Sequence, residues 1–132
     1  AFIAQTGYSS KFAYPYVVKD SEELLEHIAQ DDMVRGITIS APGFYGPQGR
    51  AIRLPLADAD LNNKIIGFEY KGHKVTNFEM EGSAIAGIAA HLGHNAGTVC
   101  CIIAHRHHKA SNPDYKPQVR KLIELCLDKL AE

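Results

Sequence analysis

Residues 98–104, Thr-Val-Cys-Cys-Ile-Ile-Ala, form a nearly unbroken apolar run of strand length, bounded by Gly97 and His105. Without polar alternation such a run reads as a strand buried on both faces, and strands of that kind belong to parallel sheets covered by helices. The rest of the chain keeps the matching rhythm. Residues 2–5 read as a strand, followed by an irregular Gly/Ser/Tyr/Pro stretch to about residue 19. Asp20-Ser21-Glu22-Glu23 has the form of a capping box, opening a helix with Leu24, Leu25 and Ile28 on one face and ended by Asp31 and Asp32. Residues 34–40 read as a strand, 58–64 as a polar turn, and 65–75 as short strands around Lys71-Gly72. A helix of small residues spans 81–92, stopped by Gly93. Pro117 opens a closing amphipathic helix with Val119, Leu122, Ile123, Cys126, Leu127 and Leu130 on its apolar face. Strand and helix alternate, so the expected class is α/β, a mixed but largely parallel sheet flanked by helices.

The charge pattern narrows the partners. Net charge is −1 and no block of like charge occurs, so no footprint for nucleic acid or an anionic membrane is expected. No apolar run is long enough to span a bilayer and no signal-peptide pattern opens the chain, so a cytoplasmic protein is expected. The three cysteines fit that compartment. Cys100 and Cys101 are adjacent, so in a strand they point to opposite faces and cannot pair without strain, while Cys126 sits on a helix face. Free, buried thiols are expected.

Two segments carry chemistry. Phe44-Tyr45-Gly46-Pro47-Gln48-Gly49-Arg50 follows a strand in a glycine-broken loop, where binding groups are mounted on a rigid scaffold. An aromatic face, an amide and a guanidinium suit a planar polar heterocycle such as uracil, whose edge needs a donor, an acceptor and another donor. Gln48 offers both kinds of group, Arg50 only donors, and Phe44 a ring to stack on. A turn with solvated Gln and Arg would have the same composition. The second segment, Glu79-Met80-Glu81, leads into the small-residue helix. Carboxylates there complement the helix dipole. Glu81 also suits the two hydroxyls of a ribose cis-diol, with Met80 as an apolar floor beneath the sugar.

Together these segments resemble the nucleoside phosphorylase family, most closely its uridine-directed members. By that resemblance, Phe44, Gln48 and Arg50 read the base, with Gln48 and Arg50 as the catalytic pair, and Glu79, Met80 and Glu81 grip the ribose. Residues 99–106 resemble the family's late strand, where Ile103 and Ala104 pack on the uracil edge. By the same resemblance His105, at a position where relatives vary, is placed to donate to a uracil carbonyl or the ribose, and Arg106 matches a family Arg at the same strand end near the substrate. Purine-directed relatives carry an Asp near the end of that strand. None occurs here between Glu81 and Asp114, which points to a pyrimidine. The resemblance implies phosphorolysis of uridine to uracil and ribose 1-phosphate, with phosphate as co-substrate and no cofactor. It also implies homo-oligomers, dimers or hexamers, with sites shared across the dimer. The family's subunit is roughly twice as long and draws its phosphate cradle from the N-terminal half. Residues 1–132 are therefore expected to be the C-terminal half of the fold as one partial domain, inactive alone.

Three other readings stand beside this one. A purine phosphorylase or nucleosidase would use the same ribose motif, and a non-catalytic nucleoside-binding module would keep the pocket alone. The third is a zinc or nickel site built from His91, His94, His105, His107 and His108. Arg106 and Lys109 flank that tract and disfavour a cation, so no metal is assigned.

Overall fold

Parallel pairing of two short strands organises the molecule. The computed structural model describes residues 1–105 and 110–132, and Arg106, His107, His108 and Lys109 lie outside it. Strand β1 (Ile37–Ser40) runs parallel to β3 (His73–Glu79), in a register that ends with Ser40 opposite Glu79 and is irregular between Ile37 and Thr38. Strand β2 (Glu69–Tyr70) lies on the other side of β3, antiparallel, so the sheet order is β1-β3-β2. The β2–β3 hairpin turns on Lys71 and Gly72, both with positive φ, the geometry a two-residue turn needs to match strand twist. A separate antiparallel pair joins β4 (Ala104–His105) and β5 (Ala110–Ser111).

Helices cover this sheet. Helix α2 (Glu22–Ile28) is capped by the Ser21 hydroxyl, which accepts from the Leu24 N–H at 3.3 Å, and it packs against α5 (Lys116–Ala131). Position N3 is Leu24, not an acid, so the cap is a single serine rather than a reciprocal box. The helix also ends at Ile28, before Asp31 and Asp32. Helix α4 (Gly82–His91) crosses onto β1, and its chain reverses at Gly93 with φ 77°. As expected from the pattern, the class is α/β with a mixed sheet and flanking helices.

Three elements differ from the sequence reading. Residues 2–5 belong to helix α1 (Phe2–Thr6), not a strand. Phe2 meets Phe68 edge-on at 5.1 Å, and the Gln5 amide bonds both the N–H and the carbonyl of Glu69. Those tertiary contacts outweigh a pattern only four residues long. The supposed turn at 58–64 winds into helix α3 (Leu61–Ile66), because Leu61 and Ile65, four apart, both bury on one face. Asp60 accepts from the Asn63 amide at its start, 2.7 Å.

The largest departure is the run at 98–104. Only Ala104 belongs to a strand, and Ile102 and Ile103 are exposed. A strand buried on both faces needs a ladder and a cover on each side. The ladders on β3 are taken by β1 and β2, and none joins β3 to this run. Its backbone is held instead at its ends, by Thr98 N–H to Asp20 Oδ2 at 3.0 Å and by Asn112 N–H to the Ile103 carbonyl at 2.9 Å. Val99, Cys101 and Ile103 then form an apolar groove with Val119, Ile123 and Cys126 of α5.

The buried apolar core is small: Ile28, Ala41, Leu61, Ile65, Phe68 and Ala86. Among the described residues, no helix is long and apolar enough to cross a membrane. In so small a core each member weighs heavily. Ile65→Ala is expected to destabilise the chain by about 2–4 kcal/mol in urea unfolding, with unchanged slope.

Candidate functional site

The two chemistry-bearing segments leave the same end of the sheet. Ser40 closes β1 and Glu79 closes β3, and the Ala41 N–H extends the pairing to the Glu79 carbonyl at 2.8 Å. The loop bearing Phe44, Gln48 and Arg50 therefore starts beside the segment bearing Met80 and Glu81. Carboxyl ends of adjacent parallel strands are where α/β sheets present ligand-binding groups.

The loop is a folded unit rather than a solvated turn. Gly46–Gln48 forms one turn of 3-10 helix, and the N–H groups of Gln48 and Arg50 both donate to the Tyr45 carbonyl. Gly49 closes it at φ 72°, and a Cβ there would lie 2.3 Å from the Asn62 amide of α3. Glycine is required at that position. The Arg50 guanidinium lies over the Phe44 ring, 3.8 Å from its centroid. One nitrogen, Nη1, donates to both the Phe44 carbonyl and Gln48 Oε1, the latter at 2.8 Å. Gln48 is only 3 % exposed, so its carbonyl serves first to orient Arg50. Phe44 is half exposed and meets Tyr45 edge-on at 5.2 Å.

At the second segment the two glutamates divide. Glu79 Oε1 accepts the Ser40 hydroxyl, and Oε2 accepts the N–H groups of Glu81, at 2.7 Å, and Gly82. Ser40 Oγ in turn accepts from the Ser83 N–H at 2.8 Å. Two side chains from neighbouring strands thus satisfy the leading N–H groups of α4. Partial burial pushes the Glu79 carboxyl up, but the Ser40 hydroxyl and the backbone N–H groups of Glu81, Gly82 and Met80 outweigh it and hold it below the ordinary glutamate range. Glu81 is exposed, and its carboxylate takes no hydrogen bond or ion pair among the described residues. Met80 is exposed beside it.

Ile103 lines the apolar groove against α5, while Ala104 and His105 sit in the β4–β5 hairpin, exposed. Arg106 is outside the described residues, as are His107 and His108 of the histidine set. His91 ends α4 and is exposed, as is His94. Among the described residues no group of three metal-ligating side chains converges. All three cysteines are free, but they are not the buried thiols the sequence suggested: Cys100 is exposed and Cys101 and Cys126 are half-buried. Desolvation by its surroundings still raises the Cys100 thiol pKa against the nearby Asn77 amide.

Sequence reasoning missed Ser40, Ser83 and Tyr16. Tyr16 Oη lies 2.9 Å from Ser83 Oγ at the start of α4, a contact 67 residues apart in the chain and invisible to local pattern. Ser40 left a faint signal, a polar residue closing an apolar strand.

The lowered carboxyl of Glu79 links folding to pH. Its stabilisation is complete above the unfolded glutamate value and is lost as pH falls through the lower native value. Glu79→Gln is expected to destabilise the chain at neutral pH by about 1–2 kcal/mol, the range of a charged cap. In urea titrations the wild-type and variant stabilities should converge as pH falls below about 4.3.

The description "Phosphorylase superfamily" belongs to the family model that matches residues 5–131. Among solved structures, a Trypanosoma brucei nucleoside phosphorylase, whose crystal structure shows uridine phosphorylase activity, aligns with a TM-score of 0.75 at 24 % identity. The alignment covers 86 % of this chain and 42 % of that one, so the chain spans less than half of that protein's length. At that identity the likeness concerns the fold. No curated protein matches the chain.

Proposed function

The chain belongs to the phosphorylase superfamily, and from that premise we propose that it supplies the base and ribose contacts of a nucleoside phosphorylase acting on uridine. The reaction is phosphorolysis to uracil and ribose 1-phosphate, with phosphate as co-substrate. The observation that carries this reading is the half-anchored Arg50. Its Nη1 is consumed by Phe44 and Gln48, while Nε and Nη2 keep their N–H groups unpaired among the described residues. A guanidinium fixed at one nitrogen and open at the others is a preorganised donor for a planar carbonyl edge.

Phosphate attacks the anomeric carbon as the N-glycosidic bond breaks, and the departing uracil takes up negative charge, mostly on its carbonyl oxygens. Donors aimed at that charge bind the transition state better than the substrate. Arg50 fills this role, Gln48 completes the base-reading pair, and Phe44 offers a ring beside the heterocycle. Glu81, exposed and unpartnered among the described residues, accepts the ribose hydroxyls over Met80 and holds the anomeric carbon toward phosphate. Ile103, Ala104, His105 and Arg106 border the base from the third segment. The missing Asp in that segment supports a pyrimidine over a purine. We assign the chain to the C-terminal half of the subunit, with the phosphate cradle in the remaining part and homo-oligomers as the complete assembly. Alone it should not turn over.

The test is phosphate-dependent uracil release from uridine by the complete enzyme. Arg50→Ala is expected to lower kcat/KM at least about tenfold, since a charged hydrogen bond is worth ~1.5–3 kcal/mol. Unchanged phosphorolysis in that variant sinks the base-reading role, and preference for inosine over uridine sinks the pyrimidine assignment.

A further inference from the structure

We infer that Glu79 is a positioning residue rather than a sugar ligand: with Ser40 it fixes the start of α4 and so aims Glu81 at the ribose. The inference rests on the nucleoside-cleaving reading and reassigns one residue of its ribose motif. A carboxylate has about four acceptor sites, and Glu79 spends three, on the Ser40 hydroxyl and the N–H groups of Glu81 and Gly82. The two acceptor positions that a cis-diol needs are not left. Ser40 is equally committed. Its one proton goes to Glu79, and its oxygen accepts from Ser83.

Three consecutive N–H groups, from Glu81 to Ser83, are therefore held by side chains of two different strands. Glu81 sits at the centre of this clamp. Its backbone is outside helical geometry, at φ −130° and ψ −29°, and its N–H is pinned by Glu79 while its own carboxylate is exposed and unpartnered among the described residues. Gly82 makes the clamp possible. A Cβ there would lie 2.6 Å from Thr98 Oγ1 and 3.1 Å from Glu79 Oε2, so any larger residue must displace Thr98 and crowds the carboxylate at the helix start. One glutamate is spent on backbone so that the second departs toward ligand from a fixed point.

Kinetics of the complete enzyme and a double-mutant cycle test this. Glu79→Gln is expected to lower kcat/KM for uridine about tenfold or more, and by less than about twofold further in a Glu81→Ala background, because both changes remove one function. Affinity for uracil, which has no ribose, should stay within about twofold in Glu79→Gln. Should Glu79→Gln fail to fold, Ser40→Ala and Ser40→Thr carry the test. Alanine should lower kcat/KM about fivefold and threonine, which keeps the hydroxyl, should restore it to within about twofold. A full, additive loss for Glu79→Gln in the Glu81→Ala background makes Glu79 a direct ligand and overturns the inference alone. Equal activities of Ser40→Ala and Ser40→Thr overturn it too. A wild-type enzyme that cleaves no nucleoside overturns the underlying reading, and the inference with it.

Discussion

A half-buried carboxylate between two strand ends and a helix start is the junction on which the candidate site depends. Glu79 closes β3, pairs with Ser40 at the end of β1, and takes the first N–H groups of α4. Charge on one side and oriented backbone dipoles on the other make this stronger than a neutral cap. The same pairing sets where the other loop begins, since the Ala41 N–H bonds the Glu79 carbonyl. Sheet, helix and both chemistry-bearing segments share one point of attachment.

From that point the site follows a single rule twice. In the loop, Gln48 is buried and gives its carbonyl to Arg50, which keeps part of its guanidinium open. In the acidic segment, Glu79 is committed to backbone and the Glu81 carboxylate stays unpartnered among the described residues. Each pair contains one polar residue consumed to orient the other. Pre-organisation of this kind fixes the Arg50 guanidinium in the loop and the backbone of Glu81 in the acidic segment before ligand arrives, so less ordering has to accompany binding.

The sequence made several parts of the fold legible. The β2–β3 hairpin, the Ala-rich α4 with its Gly93 stop, and the Pro-led α5 are strong local signals, and each stands where it was read. Helices α1 and α3 were not legible, because their direction was decided by Phe2 meeting Phe68 and by Leu61 and Ile65 reaching the core. The apolar run at 98–104 misled most. Its composition specifies a wish for burial, yet a strand buried on both faces needs a ladder, and among the described residues no strand pairs with residues 98–103, which instead line a groove with α5. The exposed Ile85 and Ile88 of α4, with Leu92 just past its end, repeat that lesson: periodicity marks an apolar stripe without saying what covers it.

By itself the sequence determined the α/β class, the residue types of the two segments, and the phosphorylase likeness, because these depend on pattern and order along the chain. The division of labour within the segments came only with tertiary structure. Glutamates 79 and 81 are chemically identical, and nothing local distinguishes the one that holds a helix from the one that faces out. That choice depends on Ser40, which lies 39 residues away from Glu79 and reaches it only through the parallel register of β1 on β3. A hydrogen bond at that separation is a property of the fold, since its geometry exists only once both strands have paired.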